Sequence, residues 1–442
     1  MTTVSAALPI TDRVAPHDQH GVADAVRETV SSAEAVLPLG GQTSLDYGLP
    51  PSREGIGLDL TGLNRVVDYA ARDMTISVEA GVRMADLAKT LAGESQQLPI
   101  DVPCPSEATI GGAIATNFSG PRRCGHGTLR DYLIGITAVD GRGITFHGGG
   151  RVVKNVAGYD FCKLLVGSLG TLAVITQVTL KVKPLPAARR WLACRLTDWD
   201  HAERLLEALV SSATTPAAIE LLTGPGWKDC QELASLRDGA LTLAVLFEGA
   251  PSEVAWQVDR LHNEWGAHGV SGRSTLAVNG AAADNLLRAL AEFPHAGILR
   301  ANSFNRDPTV TAGNNEPTAA VGANDSPLVV KAAVTPSQAV SVMRLVHEID
   351  PEAALQCHAA SGVVIARFRN FDAADLTRVL VGRLQSAAIR EGGSVTVLRS
   401  MFDGLTPQIV WGGRQASHAL MESVKAQFDP HNILNPGRFI FH

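Results

Sequence analysis

The stretch LPLGGQTS, residues 37–44, places two glycines, an amide and two hydroxyls directly after a short apolar run. Gly40 and Gly41 can adopt positive φ, which lets successive backbone N–H groups point into one concavity, and the hydroxyls of Thr43 and Ser44 add donors. Such a turn can hold phosphate oxygens. It is not a Walker loop, because the GK[ST] ending is missing, and the sequence contains no GxGxxG motif. A simple turn between two strands is the alternative interpretation.

Two further stretches share this small-residue character. ATIGGAIATNFSG, residues 108–120, contains a second Gly-Gly pair followed by small side chains, and VGSLGT, residues 166–171, precedes an apolar, β-branched strand pattern. Small side chains allow a backbone to approach a large flat or diphosphate-bearing ligand closely. We therefore expect the three stretches to converge on one such ligand.

The order of these motifs resembles the vanillyl-alcohol-oxidase-type (PCMH-type) FAD flavoproteins. The matching patterns are Pro-x-Gly-Gly-x-Thr at 38–43, Thr-Ile-Gly-Gly-x-x-Ala-x-Asn-x-x-Gly at 109–120, and Gly-Ser-x-Gly-Thr-Leu-x-Val-Ile-Thr at 167–176. VKAQFDPHNILNPGRF, residues 424–439, is similar to the closing motif of that family. Within the family, the segments GPRR, RDYLIG and VVKNVAGYD resemble most the FAD-binding subunits of glycolate oxidase complexes.

The resemblance implies FAD as the cofactor and assigns its contacts by position. The first stretch would bind the pyrophosphate, the second would line the other side, and the third would hold the ribityl and adenine portions. Asn435 and Arg438 in the closing motif could touch flavin or substrate, or could serve as a structural clasp. The FAD contacts implied are Pro38, Gly40, Gly41, Gln42, Thr43, Ser44, Thr109, Gly111, Gly112, Thr116, Asn117, Ser119, Gly170, Thr171 and Ile175.

Departures from the family pattern refine these expectations. Many relatives attach FAD covalently through a histidine in the first loop, whereas this chain reads Gly41-Gln42-Thr43, so we expect noncovalent FAD. The similar hydroxyacid dehydrogenases carry a His-Ala-Gly-Asp-Gly-like stretch where a metal and a general base meet the substrate. This chain has CHAASG at 357–362, which keeps His358 but places Ser361 at the acidic position. We therefore predict no metal site.

Three side chains are candidates for binding a substrate or for catalysis. His358 could take the hydroxyl proton, because imidazole titrates near neutral pH, or it could be structural. Arg122 and Arg123 could grip a carboxylate or phosphate, since a guanidinium fork pairs both oxygens of such a group. Pairing of these arginines with Asp131 or with FAD is the alternative.

Composition limits the partners. The 442 residues carry 38 basic and 44 acidic side chains, a net charge of −6, with no basic stripe for nucleic acid. No apolar run approaches the ~20 residues of a membrane span, and the N-terminus has no secretory pattern, so we expect a cytoplasmic protein. The six cysteines show no CxxC spacing, so any iron–sulfur centre should lie on a partner.

The length and the segment patterns predict the organisation. We expect an FAD-binding domain at 1–190, a cap domain at 191–400 and a segment at 401–442 that returns to the first domain. Apolar runs predict strands at 190–196, 241–247, 326–334, 362–368 and 394–400, and periodicity predicts helices at 200–210, 335–349 and 373–391. Thr335 and Gln338 form a capping-box pattern. Residues 302–326 are polar and aperiodic, which predicts a mobile loop, with a lid or docking segment as the alternative.

These features together predict an α+β fold, with a two-subdomain PCMH-type FAD-binding domain and a ferredoxin-like antiparallel-sheet cap. The implied function is that of the FAD-binding subunit of a glycolate or 2-hydroxyacid dehydrogenase complex. Its expected partners are a small 2-hydroxy acid, a homologous flavoprotein and an iron–sulfur subunit, through which any membrane association would arise. The alternatives are a stand-alone D-lactate or 2-hydroxyacid dehydrogenase and a non-catalytic flavin relay.

Overall fold

The computed structural model describes residues 8–150, 158–227, 230–236, 241–295 and 326–440. The chain divides into two compact units. The terminal unit consists of Ala6–Ser119, Gly127–Leu185 and Leu405–His442, and the central unit includes Gly120–His126 and Pro186–Gly404. The domain bounds drawn from the sequence, 1–190, 191–400 and 401–442, stay predictions. The predicted mobile loop at 302–326 lies outside the described residues except for Ser326.

The terminal unit begins with a three-stranded parallel sheet and one long helix. Asp18 starts the helix, because its side chain accepts a hydrogen bond from the N–H of Gly21 at 2.8 Å. Val22 and Val26 of this helix are fully buried in one core with Leu58. The sheet order is β1-β3-β2. The elements are β1 (Ile10–Val14), α1 (Gln19–Ser32), β2 (Ala35–Leu39) and β3 (Gly55–Asp59).

A second core in the terminal unit lies against a five-stranded antiparallel sheet of order β4-β5-β9-β7-β8, with a two-stranded ladder β10-β6 beside it. Ile76 and Val78 of β5 and Ile110 of α3 are among its buried members. The strands are β4 (Val66–Ala70), β5 (Thr75–Glu79), β6 (Gln96–Gln97), β7 (Leu133–Asp140), β8 (Thr145–Gly149), β9 (Ala173–Lys181) and β10 (Lys183–Pro184); the helices are α2 (Met84–Ala92), α3 (Ile110–Thr116), α5 (Leu129–Tyr132) and α6 (Phe161–Leu165).

The C-terminal segment is fastened to this unit by a buried ion pair. After α12 (Pro407–Trp411) and α13 (His418–Phe428), Lys425 Nζ donates to Asp429 at 2.5 Å, to the carbonyl of Thr171 at 2.8 Å and to that of Leu434 at 3.0 Å. Asp429 in turn accepts the N–H groups of Ile433 and Leu434. The backbone then joins β2, because Val36 donates to Ile433 and accepts from Asn435.

The central unit contains an eight-stranded antiparallel sheet of order β14-β11-β13-β12-β16-β17-β15-β18. This arrangement and the two cores of the terminal unit confirm the predicted α+β fold class. The strands are β11 (Ala188–Leu196), β12 (Ala218–Thr223), β13 (Leu241–Gly249), β14 (Thr275–Asn279), β15 (Leu328–Ala333), β16 (Ala354–His358), β17 (Val363–Phe368) and β18 (Ser394–Ser400); the helices are α4 (Arg123–His126), α7 (Trp199–Val210), α8 (Pro251–Ala267), α9 (Gly280–Glu292), α10 (Ala339–Ile349) and α11 (Ser386–Arg390).

One local prediction in the central unit is wrong, and one predicted helix is present but differs in type. The capping box of Thr335 and Gln338 does not form, because a 3-10 turn, Pro336–Gln338, precedes α10 and the Thr335 hydroxyl pairs with that of Ser337 at 3.2 Å. The helix expected over 373–391 begins as a π-helix, Leu376–Gln385, and continues as α11. The other predicted strands and helices of this unit are confirmed within two or three residues at each end.

A buried carboxylate attaches the Gly120–His126 segment to the central sheet. Glu248 of β13 accepts from Arg122 at 3.4 Å, from Arg189 at 2.6 Å and from His126 at 2.9 Å. Burial alone would raise the pKa of Glu248, but the His126 hydrogen bond and the charges of Arg122 and Arg189 hold it at about 2. The ionised carboxylate is therefore a stabilising element of this unit.

We predict that Glu248 makes stability depend on acid pH. A carboxyl whose folded pKa is depressed contributes its stability above its unfolded value, 4.5, and loses it as the pH falls to about 2. Urea unfolding should show Glu248→Gln to be about 3 kcal/mol less stable at neutral pH, with the difference shrinking below about pH 4.5. The exposed Glu207→Gln of α7 should change stability by less than about 0.5 kcal/mol throughout. A Glu248→Gln deficit that stayed constant down to about pH 3 would contradict this account.

Candidate cofactor cavity and buried histidine

An elongated cavity lies in the terminal unit between the parallel sheet, α3 and the C-terminal segment. Its void, including the open mouth, is about 1030 Å³. Twelve of the fifteen predicted FAD contacts line it: Pro38, Gly40, Gly41, Gln42, Thr43, Ser44, Thr109, Gly111, Gly112, Thr116, Gly170 and Ile175. The three small-residue stretches therefore meet around one space, as their sequences predict, while each residue's contact with FAD stays a prediction.

The glycines in this wall are required by the packing of the loops on one another. A Cβ on Gly41 would lie 1.8 Å from the carbonyl oxygen of Glu107, and one on Gly40 would lie 2.3 Å from the hydroxyl of Thr109. A Cβ on Gly111 would lie 2.8 Å from that of Ala80. The first and second loops thus pack in direct contact at Gly40 and Gly41, and any larger residue at either position would push the loops apart.

The backbone of the first loop differs from the expectation that Gly40 and Gly41 take positive φ. Neither does; the left-handed conformation falls on Gln42, at φ 57°. Glutamine adopts this region less readily than glycine. Among the residues described, Gly41 and Thr43 make no intramolecular hydrogen bond, so their N–H groups and the Thr43 hydroxyl are available to a ligand.

Three predicted contacts lie outside the cavity lining. Thr171 is buried, and its hydroxyl donates to the carbonyl of Ser168 at 2.7 Å. Asn117 ends α3 in a left-handed conformation, and its buried side-chain oxygen has no partner among the described residues. Ser119 is half-buried at the end of the second loop. Their roles in binding FAD stay predictions.

The sequence interpretation did not assign the apolar part of the wall. Some of these residues, such as Leu169 and Val174, lie within the third stretch, but others, such as Leu60 and Val102, lie outside every motif and could be found only once the sheets were assembled. Asn435, at φ 43°, donates to the carbonyl of Leu169 at 2.8 Å, and both Asn435 and Arg438 line the cavity. The apolar lining includes Leu45, Tyr47, Leu60, Val102, Phe118, Leu169 and Val174.

The cavity fits a large ligand that carries a diphosphate. Among the described lining residues Arg438 alone is charged, and no carboxylate faces the space. Free backbone donors at Gly41 and Thr43, one cation, several hydroxyls and an apolar region of the wall suit a flat aromatic group joined to an anionic linker. FAD has this composition.

The two arginines predicted to grip a substrate anion occur in the central unit. Arg122 is buried, and its guanidinium contacts Glu248. Asp131 caps α5 together with Thr128. Arg123 is half-buried at the start of α4. A substrate-binding role for either arginine stays a prediction.

His358, the predicted base, belongs to a buried polar cluster on adjacent strands of the central sheet. Its Nδ1 lies 2.8 Å from Oε1 of Glu220, and Gln356 Nε2 donates to Oε2 of Glu220 at 2.8 Å. Glu220 opposes His358 directly in the β12–β16 register, so both side chains share one face of the sheet. All three residues are at most 2% exposed.

The chemistry of this cluster follows from its partners. A carboxylate only accepts hydrogen bonds, so Nδ1 of His358 carries a hydrogen, and in the neutral tautomer that this selects Nε2 is an acceptor. Nε2 of His358 and Oε1 of Gln356 are both buried and have no partner among the described residues. Leaving a buried acceptor without a hydrogen bond destabilises the protein by about 1–3 kcal/mol. A hydrogen-bond donor such as a hydroxyl would therefore be favoured beside these two atoms.

In the described part of the chain, no cluster of three or more His, Cys, Asp or Glu side chains could hold a metal ion. The six cysteines are free thiols. No helix within the described ranges is long and apolar enough to cross a membrane.

Comparison with known families matches two domains along the chain. Residues 13–149 match an FAD binding domain, and residues 185–312 with 406–439 match the C-terminal domain of FAD linked oxidases. The first match contains the glycine loops at 40–44 and 109–119, and the second contains His126's partner Glu248 as well as Asn435 and Arg438. FAD is therefore the cofactor of this chain.

Several proteins are similar over much of the chain. Glycolate oxidase subunit GlcD of Bacillus subtilis is 25% identical over 91% of this chain and 83% of its own length. A D-lactate dehydrogenase of Archaeoglobus fulgidus is 26% identical over 97% and 90%, respectively. Glycolate oxidase subunit GlcE of Escherichia coli is 34% identical over 37% of this chain and 46% of its own length.

Solved structures support the fold at lower identity. Substrate-bound p-cresol methylhydroxylase is 15% identical with a TM-score of 0.69, covering 98% of this chain and 91% of its own. At that identity the likeness concerns the fold alone. The two domain matches, which together span most of the chain, show that it has the domain composition of FAD linked oxidases and is an FAD-dependent oxidoreductase.

Proposed function

We propose that the chain takes part in oxidising a small 2-hydroxy acid through its FAD, as the FAD-binding subunit of a glycolate oxidase-type complex. The observation that carries this proposal is similarity over nearly the whole chain to a glycolate oxidase subunit and to a D-lactate dehydrogenase. Glycolate and lactate share one reacting group, a hydroxyl on the carbon next to a carboxylate. The substrate class is therefore more strongly supported than any single acid.

The oxidation removes a proton from the hydroxyl and a hydride from the carbon that bears it, and gives a 2-oxo acid. FAD, when bound, accepts the hydride. The protein must then receive the hydroxyl proton at a group with a free lone pair. His358 Nε2 has this property, because Glu220 holds the hydrogen on Nδ1.

Glu220 acts as a positioning residue in this proposal. Its carboxylate fixes the ring orientation and the tautomer of His358 and would stabilise the imidazolium formed on proton uptake. Gln356 anchors the second oxygen of Glu220 and offers its own carbonyl beside the imidazole. A hydroxyl could donate to His358 while a neighbouring donor satisfies Gln356.

The subunit role rests on the relatives and on the cysteines. Two similar proteins are named as subunits of glycolate oxidase. The six cysteines lack the spacing of iron–sulfur ligands, so electrons would leave to an iron–sulfur partner or to a second flavoprotein. We place the chain in the cytoplasm, with those partners as its route to a membrane.

Two other roles are supported by specific observations. The match to nearly the full length of a D-lactate dehydrogenase favours an enzyme that acts alone. The replacement of the acidic cap position by Ser361, in a cap whose described residues hold no metal cluster, favours a flavin relay whose partner does the chemistry. The catalytic FAD-binding subunit and the flavin relay differ in whether His358 receives the substrate proton.

We predict that FAD is bound without a covalent link, since the first loop carries Gln42 where a histidine would be needed. Acid precipitation of the purified protein should release all of its yellow chromophore into the supernatant. Colour that stays with the pellet would contradict the prediction.

The proposed activity can be tested by anaerobic mixing of the flavin-loaded chain with glycolate and with D-lactate. We expect the flavin absorbance to bleach with at least one acid, and a simple alcohol such as ethanol to leave it unchanged. Bleaching only after the partner subunits are added would favour the relay. No bleaching under either condition would overturn the proposal.

We predict that Glu220→Gln lowers kcat for the hydroxy acid about 10- to 100-fold while KM changes little, because the variant keeps the shape of the cluster but loses the charge that orients His358. The matched control is Gln257→Met, which removes a buried hydrogen bond to Thr215 elsewhere in the same unit and should leave kcat unchanged. Equal losses in the two variants would assign Glu220 a structural role only.

A further inference from the structure

Arg438, in the closing motif, is the one charged residue among the described residues that line the cofactor cavity, and the motif leaves its partner open. It follows the Asn435-Pro436-Gly437 turn and is 5% exposed. Its main chain is fixed from both sides, because its N–H donates to Asn435 and its carbonyl accepts from Leu49 at 3.0 Å. These backbone hydrogen bonds hold the Cα of Arg438 in a position from which its side chain lines the cavity.

The donors of this guanidinium are only partly used. Nη2 donates to the carbonyls of Leu45 and Tyr47, each at 2.7 Å, directly after the first glycine loop. An arginine has five N–H donors, and the three on Nε and Nη1 make no hydrogen bond among the residues described. The unused edge of the guanidinium is therefore free for a ligand in the cavity that Arg438 lines.

The charge of Arg438 is also incompletely compensated. Burial lowers its pKa to about 10, and the charge of Asp46 acts in the opposite direction. The group stays protonated at neutral pH, yet Asp46 is exposed and does not line the cavity. A buried cation with spare donors is costly unless an anion pairs with it.

We propose that Arg438 is the counter-ion of the FAD diphosphate. The diphosphate is the one permanent negative charge on FAD, and the described cavity wall offers a single cation. The carbonyls that hold Nη2 directly follow the loop whose Gly41 and Thr43 line the same cavity with unused N–H groups, so both kinds of donor can serve one anion. Arg438 thereby links the C-terminal segment to cofactor retention.

The test measures FAD binding by the full chain after the cofactor has been removed and titrated back. Arg438→Gln keeps a neutral donor of moderate length, and we expect the Kd for FAD to rise about 10- to 100-fold, the usual effect of losing a hydrogen-bonded charge. The midpoint potential of bound FAD should not change, because the diphosphate carries the same charge in the oxidised and reduced states.

The matched control is Arg53→Gln. Arg53 also donates to a carbonyl of the C-terminal segment, that of Asn432, and to Ala33, but it is exposed and lies outside the cavity. We expect its Kd for FAD to match the wild type. Equal weakening in both variants would mean that fastening of the segment, not charge, controls FAD affinity, and would overturn the proposal.

Arg438→Lys separates charge from geometry and also decides the question if the glutamine variant does not fold. Lysine keeps the charge but cannot bridge both loop carbonyls while reaching the anion, so we expect a Kd within about tenfold of wild type and below that of Arg438→Gln. A folded lysine variant that binds FAD as weakly as glutamine, or a lowered midpoint potential in either variant, would overturn the diphosphate assignment, the latter in favour of the reduced flavin ring.

Discussion

The buried pair of Lys425 and Asp429 is the interaction on which the cofactor cavity depends. Burial lowers the pKa of Lys425, and the charge and hydrogen bond of Asp429 oppose that shift. The ammonium also donates to the carbonyl of Thr171, in the third small-residue stretch. Asp429 accepts from the N–H of Leu434 and so fixes the turn before the residues that pair with Val36 of β2. Loss of either charge would leave its partner buried and unpaired, at a cost of about 3–5 kcal/mol. Asn435 and Arg438 reach the cavity only because this pair fixes the segment before them.

The glycine loops show that a correct prediction can rest on an incomplete reason. Small residues at 40–41 and 109–112 did identify the cavity, but the contacts that require glycine are between protein backbones, as at Gly41 against Glu107. A sequence shows where a side chain is missing, whereas the atom occupying that space depends on tertiary packing. A Gly41→Val exchange would therefore disturb the loops themselves, and it cannot serve as a selective probe of the pyrophosphate.

Local patterns were sufficient for the eight strands and helices predicted in the central unit and insufficient for the buried charges. Apolar runs marked β11, β13 and β18 because strand periodicity is contained in a few residues. Glu220 and Glu248 carry no such signal: each lies in an apolar run, and its partners are contributed by strand register or by residues more than 50 positions away. For the same reason Arg122 was identified as a residue of interest while its partner Glu248 was not.

Chain order adds a constraint on when FAD can be held. The terminal unit is built from three separated stretches, and the last, Leu405–His442, supplies Asn435 and Arg438 to the cavity wall. A chain interrupted between the second glycine loop and this stretch would contain both glycine loops but lack the cation and the lysine–aspartate pair. Because a ligand that binds only the native state stabilises it by mass action, FAD should favour docking of this segment. Cofactor binding and docking of this segment on the terminal unit are then one coupled equilibrium, to which Arg438 contributes the charge.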